Sequence, residues 1–180
     1  MKIATIGRGN VGGGLADFWE QAGHEVERIG KNGGDVSGAE AVLLAVPSGA
    51  IDDAFGSVNG LEGKTLIDAT NLIRGERPGG AESLAAYVKQ RTGANVAKAF
   101  NTVFAKNYGQ VREQQVPPGC LYCGDDEAKE TTAQLIRDAG YEPLDAGGLE
   151  NARVLEDFLK AEFAVASGGL GQFFYRFEAP

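Results

Sequence analysis

The first twenty-two residues constrain this chain more than any other stretch. A short apolar run, Lys2-Ile3-Ala4-Thr5-Ile6, passes into Gly7-Arg8-Gly9-Asn10-Val11-Gly12 and then into a helical segment from Leu15 to Ala22. Strand, G-x-G-x-x-G turn and helix, in that order, form the pattern that wraps a backbone around a dinucleotide pyrophosphate. Each glycine has its own task. Gly7 lets the chain leave the strand in a tight turn, Gly9 lets the backbone approach a phosphate, and Gly12 lets the helix pack close to the strand. The free N–H groups and positive dipole end of the helix then face the anion. Glycines at this spacing are common. Their placement between a strand and a helix carries the reading.

Apolar runs alternate with helical segments along the rest of the 180 residues. That alternation predicts an α/β, Rossmann-type doubly wound sheet, mostly parallel, with helices on both faces. Residues 1–180 read as one NAD(P)-binding domain with a short C-terminal helix and an aromatic tail. Gly23 ends the first helix and Glu25–Ile29 reads as the second strand. The crossover from Gly30 to Glu40 is too short for its usual helix, so it reads as a loop with a stub of strand. Ala41–Val46 is uninterrupted apolar sequence, as in a central strand covered on both faces. A helix is predicted over Ser48–Ser57 with Ser48 as its cap. Lys64–Ala69 is a strand that opens into a Gly-, Arg- and Pro-rich loop ending at Gly80, read either as a lid or as a linker. A helix over Ala81–Arg91 and a strand over Asn95–Phe100 follow. Tyr108–Pro118 reads as irregular, Asp125–Ala139 as a helix, Tyr141–Asp145 as a short strand and Glu150–Ala166 as the last helix. The tail, rich in Phe and Tyr, either forms a homodimer contact or tucks into the chain's own core.

The net charge of −8 argues against nucleic acid and anionic membranes as partners. No apolar run reaches membrane-spanning length, and the N-terminal strand does not read as a signal peptide, so a cytoplasmic location is expected. Cys120 and Cys123 have C-x-x-C spacing, but Gly119–Gly124 reads as a strand. There they would face opposite sides as small core residues. A zinc site would need two further ligands, so no metal is expected. His24 is the only histidine and lies in a turn away from the strand ends that bind ligands.

The tip of the second strand decides which dinucleotide fits. NAD sites carry an Asp or Glu there for the ribose 2′-hydroxyl. Here the tip reads Ile29-Gly30-Lys31-Asn32-Gly33-Gly34. A 2′-phosphate suits it, with Lys31 as counter-charge and Arg8 as a second cation, so NADP is the expected cofactor. Glu27 and Asp35 would reverse that choice if the strand register were shifted.

Several segments together resemble one family, the coenzyme F420-dependent NADP oxidoreductases. They are Gly7–Gly12, Leu43–Pro47, Ile67–Asn71, Lys98–Thr102, Cys123–Asp126 and, most specifically, Asp145–Arg153. The resemblance implies that Gly7, Arg8, Gly9, Asn10 and Val11 hold the pyrophosphate. It also implies that Ala45, Val46 and Pro47 line the stretch from adenosine to nicotinamide. Asn71, Asn101 and Thr102 would sit near the nicotinamide and the second substrate. Gly30 and Lys31 stand where the family has Ser-Arg, which keeps a cation but loses a hydroxyl and a bidentate fork. The implied activity is hydride transfer between NADPH and coenzyme F420 or a related small-molecule acceptor. It fits a chain with no evident general acid, because hydride exchange between two ring cofactors needs less proton transfer than carbonyl reduction does. Two other readings stand beside it: a non-catalytic NADP(H)-binding redox sensor, and a piece of a larger dehydrogenase that needs a helical partner.

Overall fold

Alternation of side chains across strands, and the stripes on the helices, sort the apolar residues into two layers around one sheet. A computed structural model describes residues 1–178. Its strands are β1 (Lys2–Ile6), β2 (Glu25–Ile29), β3 (Gly34–Asp35), β4 (Ala41–Leu44), β5 (Val58–Asn59), β6 (Thr65–Asp68), β7 (Asn95–Ala99), β8 (Gly119–Gly124) and β9 (Glu142–Asp145). Its α-helices are α1 (Asn10–Gln21), α2 (Ile51–Ser57), α3 (Leu84–Thr92), α4 (Asp126–Asp138) and α5 (Ala152–Val165).

The main sheet runs β2-β1-β4-β6-β7-β8-β9. The first five are parallel neighbours, β8 is antiparallel to β7, and β9 pairs parallel with β8. This is the doubly wound, mostly parallel sheet expected from the sequence. The chain steps outward from β1 to β2 and then returns to the other side of β1 as β4. The C-terminal ends of β1 and its neighbours therefore form a topological switch point, where such sheets open a crevice.

Adjacent residues on each strand face opposite layers. Ala4, Val42, Leu44, Leu66 and Val96 join Ile51, Leu84 and Val88 on one face, while Ile3, Leu43 and Ile67 join Leu15, Trp19, Leu135 and Ile136 on the other. Helices α2 and α3 thus cover one side and α1 and α4 the second. Trp19 is fully buried and its indole N–H donates to the Leu135 carbonyl at 2.9 Å, fixing α1 against α4. His24 lies between the N-terminal amine (3.2 Å) and Asp138 (2.9 Å), a fastening between the α1–β2 turn and α4. Cys120 and Cys123 are free, buried and on opposite faces of the sheet. Burial pushes both thiols up to about 12, so neither is a thiolate at neutral pH.

The short crossover after β2 carries no helix; its stub β3 pairs with β5 to make a separate two-stranded ribbon. Three local expectations are corrected. Ser48 does not cap α2. Residues Ser48–Ala50 form a 3-10 turn, the helix starts at Ile51, and neither segment has a side-chain cap. Pro47, extended at φ −55° and ψ 144°, places that tighter turn between the strand and the helix. The irregular stretch near Tyr108 is partly regular: Ala105–Glu113 is a 3-10 helix that buries Tyr108 and Val111, and irregularity is confined to residues 114–118, Pro117 and Pro118 included. The predicted helix at Ala81 begins later, at Leu84, where Ser83 accepts a capping bond from the Ala86 N–H at 3.0 Å.

Candidate dinucleotide site

A cleft of about 710 Å³ opens at the switch point. Ile6, Gly7, Arg8 and Gly9 line it from the end of β1, Gly30 and Lys31 from the end of β2, and Ala45, Val46 and Pro47 from the end of β4. Residues of the following helical segment, Ala50, Asp53, Ala54 and Ser57, form the remaining wall. Eight of the residues predicted to hold a cofactor thus share one cleft.

Steric demands at the turn separate the three glycines by role. Gly7 has φ +109°, and a Cβ there would lie 2.2 Å from the Ala45 carbonyl oxygen. A Cβ on Gly12 would lie 2.1 Å from the Gly7 carbonyl oxygen, so α1 can pack this close only without a side chain. At Gly9 a Cβ would meet nothing within 4 Å. Gly7 and Gly12 are therefore needed by the fold, whereas Gly9 keeps open a space that the protein itself does not fill. Gly9 is also the N-cap of α1; no side chain caps that end and its first turn has no acid. The N–H groups of Asn10 and Val11 belong to that uncapped turn. An exposed helix start with room above it is the geometry a diphosphate fits.

Two cations flank the β2 tip, Lys31 from the tip itself and Arg8 from the glycine turn after β1, both exposed and, among the described residues, in no ion pair. The acids able to reverse the cofactor choice lie elsewhere. Glu27 and Asp35 line a separate shallow depression with Lys2 and Glu25, and Asp35 accepts a bond from the Ser37 N–H at 2.9 Å. Asp53 is the one acid among the residues lining the cleft, and it comes from the α2 wall rather than from the tip of β2.

Asn71, Asn101 and Thr102 lie at the ends of β6 and β7, outside the residues lining this cleft. The Asn71 amide donates to the Asn101 carbonyl at 2.7 Å, and the Asn101 amide donates to Asn71 Oδ1 and to the Leu155 carbonyl, both at 3.1 Å. Asn101 Oδ1 is buried and has no partner among the described residues. Thr102 Oγ1 is 2.6 Å from the Tyr175 hydroxyl, which also accepts from the Leu121 N–H at 3.0 Å. The aromatic tail therefore divides: Phe174 and Tyr175 pack inward beside β8, while Phe177 stays exposed. Phe100, between β7 and these polar residues, has φ +60°, a conformation disfavoured for an aromatic residue. Its fully buried ring sits edge-on to Trp19 at 6.0 Å, and that packing holds the turn that presents Asn101 and Thr102.

A buried ionic cluster beneath this end was not anticipated. Lys98 is fully buried and its Nζ lies 2.9 Å from Asp68, 2.6 Å from the Thr70 carbonyl and 3.4 Å from Glu156. Glu156, on α5, also accepts from the Leu84 N–H at 2.7 Å and pairs with Arg77 at 3.2 Å. Two carboxylates and two cations thus tie the ends of β6 and β7, the start of α3, helix α5 and the loop after β6 into one unit. Arg77 anchors that loop between two exposed stretches, residues 73–76 and Gly79-Gly80.

Glu162, further along α5, is only 2% exposed, and neither carboxylate oxygen has a partner among the described residues. Burial raises its carboxyl from the ordinary 4.5 to about 8. The folded protein then holds a proton that the unfolded chain releases. Stability is full below about pH 4.5 and falls as the pH rises to about 8. Glu162→Gln is expected to flatten that slope and to gain about 1–3 kcal/mol at pH 8, read from urea denaturation at pH 5 and pH 8. Parallel pH dependence in both proteins would show that Glu162 is not the source.

A switch-point crevice, an uncapped helix start behind a glycine turn, and a cationic strand tip define a dinucleotide-binding protein of the Rossmann class. Known proteins agree. The chain is 32% identical to the F420-dependent NADP reductase of Methanothermobacter thermautotrophicus, over 87% of this chain and 85% of that protein. It therefore belongs to the F420-dependent NADP reductase family, a group of NAD(P)-dependent oxidoreductases. It is also 34% identical to the rat metalloreductase STEAP3 over 67% of this chain, a match spanning 25% of that protein's length. Among solved structures, a candidate F420-dependent NADP-reductase from Arthrobacter sp. FB24 superposes with a TM-score of 0.82 at 23% identity, covering 100% of this chain and 99% of that one, which bears on the fold. No family model matches the chain. Among the described residues no group of His, Cys, Asp and Glu could hold a metal ion, and no helix is long and apolar enough to cross a membrane.

Proposed function

We propose that this protein is an NADP(H)-dependent reductase that transfers hydride between NADPH and a deazaflavin of the F420 type. The observation that carries the cofactor half is the β2 tip, where Lys31 and Arg8 face the cleft without acidic partners and no acid stands at the ribose position. The likeness to the archaeal reductase supports the acceptor half. When bound, the nicotinamide supplies the hydride and the deazaflavin ring accepts it. The protein's own part is binding and orientation. The amides of Gly9, Asn10 and Val11 hold the diphosphate, and Gly7 and Gly12 keep the turn in place. Ala45, Val46 and Pro47 form the apolar wall along the cofactor. Asn71, backed by the buried Asn101 and Thr102 that α5 and Tyr175 hold in register, stands toward the nicotinamide end.

Two measurements test this reading. Purified protein with NADPH is expected to reduce the deazaflavin at enzymatic rates in an absorbance assay. Tight NADPH binding with no turnover on deazaflavin, flavin or imine substrates would show a sensor instead. Lys31→Asp is expected to weaken NADPH binding by roughly 10- to 100-fold, the range for losing a charge-assisted phosphate contact, with little change for NADH. Equal losses for the two nucleotides, or none, would remove Lys31 from the 2′-phosphate site.

A further inference from the structure

We infer that Arg8 and Gly30 form a coupled specificity pair, in which Gly30 exists to seat the Arg8 guanidinium as the fork that grips the 2′-phosphate. A Cβ at position 30 would lie 2.2 Å from Arg8 Nη2, 2.5 Å from Cζ and 2.7 Å from Nε. Three atoms of the planar group crowd one point, so the guanidinium lies against the bare Cα. Gly30 is not among the residues with positive φ, so its backbone is open to any L-residue. The space a Cβ would take is occupied by the end of the Arg8 side chain, which would have to swing aside for any larger residue.

The consequence is chemical. Lys31 offers a compact point charge, whereas a guanidinium offers a planar set of donors that matches two phosphate oxygens at once. The fork missing from position 31 is supplied from the glycine turn, across the tip of β2. Arg8 is exposed, lines the cleft beside Lys31, and makes no ion pair or side-chain hydrogen bond among the described residues that a ligand would have to break. Asp53, on the α2 wall, is the only acid among the described residues that line the same space. In this arrangement Arg8 supplies the main discrimination between NADPH and NADH and Lys31 adds to it. A side chain at position 30 acts by displacing Arg8.

This inference rests on the NADP(H) reading above and is tested by titrating NADPH and NADH into the wild type, Arg8→Ala, Arg8→Lys, Gly30→Ala and the double variant Arg8→Ala/Gly30→Ala. Arg8→Ala is expected to lose roughly 10- to 100-fold in NADPH affinity, with NADH changed by no more than about two-fold. Arg8→Lys, which keeps the charge without the fork, recovers only part of that loss. Gly30→Ala loses about as much as Arg8→Ala, and the double variant loses no more than either, because both changes remove the same contact. The pair is refuted if Gly30→Ala keeps full NADPH affinity, if the two losses add, or if NADH affinity falls in parallel. Should Gly30→Ala fail to fold, NADPH affinities unchanged in Arg8→Ala and Arg8→Lys refute it alone. Wild-type protein with no preference for NADPH overturns the NADP(H) reading itself; a wild-type preference that survives Arg8→Ala overturns only the role of Arg8.

Discussion

Lys98→Met is expected to destabilise the protein by about 3–5 kcal/mol, the usual consequence of breaking a buried ion pair from one side. Lys98 pairs in register with Asp68 across the β6–β7 ladder, and its ammonium is the cation between Asp68 and Glu156. Asp68 is fully buried and the Glu156 side chain is 2% exposed, so solvent cannot replace the missing charge. Among the described residues the Arg77 side chain pairs only with Glu156. The Thr70 carbonyl would also lose its donor, loosening the segment that carries Asn71. Urea denaturation reads the effect directly. Replacing the carboxylates as well, in Asp68→Asn/Lys98→Met/Glu156→Gln, is expected to recover much of the loss, because the unpaired charges cost more than the missing attraction. A change below about 1 kcal/mol for Lys98→Met would mean that the cluster is solvated and does not bind these elements together.

The second large effect is on binding rather than on folding. Gly9→Val is expected to leave the thermal midpoint nearly unchanged and to weaken NADPH by at least about 100-fold, or about 2.7 kcal/mol. Gly9 has φ −77°, which valine adopts without strain, and nothing lies within 4 Å of the site of its Cβ. The branched side chain would occupy the space over the start of α1 that a diphosphate needs. Gly12→Val provides the contrast: its Cβ would fall 2.1 Å from a backbone oxygen, so the protein itself should unfold or rearrange. If Gly9→Val bound NADPH as tightly as the wild type, the space above the turn would not be the phosphate site.

What could be read from the residues follows from how far apart the interacting groups lie along the chain. The β1–turn–α1 unit is local, and its glycine spacing dictates its geometry. The opposite placement of Cys120 and Cys123 follows from strand alternation. The short crossover to β4 shows its missing helix by length alone. The Asp68–Lys98–Glu156–Arg77 cluster is different. Its members lie on two strands, a loop and a helix, joined by contacts spanning up to 79 positions, so no local pattern joins them. Lys98 in Asn95–Ala99 was the nearest signal: a lysine inside an otherwise apolar central strand must find a buried partner. Phe100 gave none, since aromatic residues rarely take positive φ and only its packing against Trp19 and the turn beyond impose it. Glu162 carried no signal of burial: nothing in a helix from Glu150 to Ala166 singles it out, yet it is 2% exposed in the folded chain. Ser48 misled because a serine after proline resembles a helix cap, while the 3-10 turn moved the helix start three residues onward.

On the proposed function, the β1 turn and the β2 tip together receive a dinucleotide bearing a 2′-phosphate. Titration of the wild-type protein with NADPH and with NADH, followed by nucleotide fluorescence at fixed ionic strength, tests it most directly. NADPH is expected to bind at least about tenfold more tightly, a difference of about 1.4 kcal/mol, with the gap narrowing as salt is added. Equal affinity, a preference for NADH, or no binding of either nucleotide would contradict it.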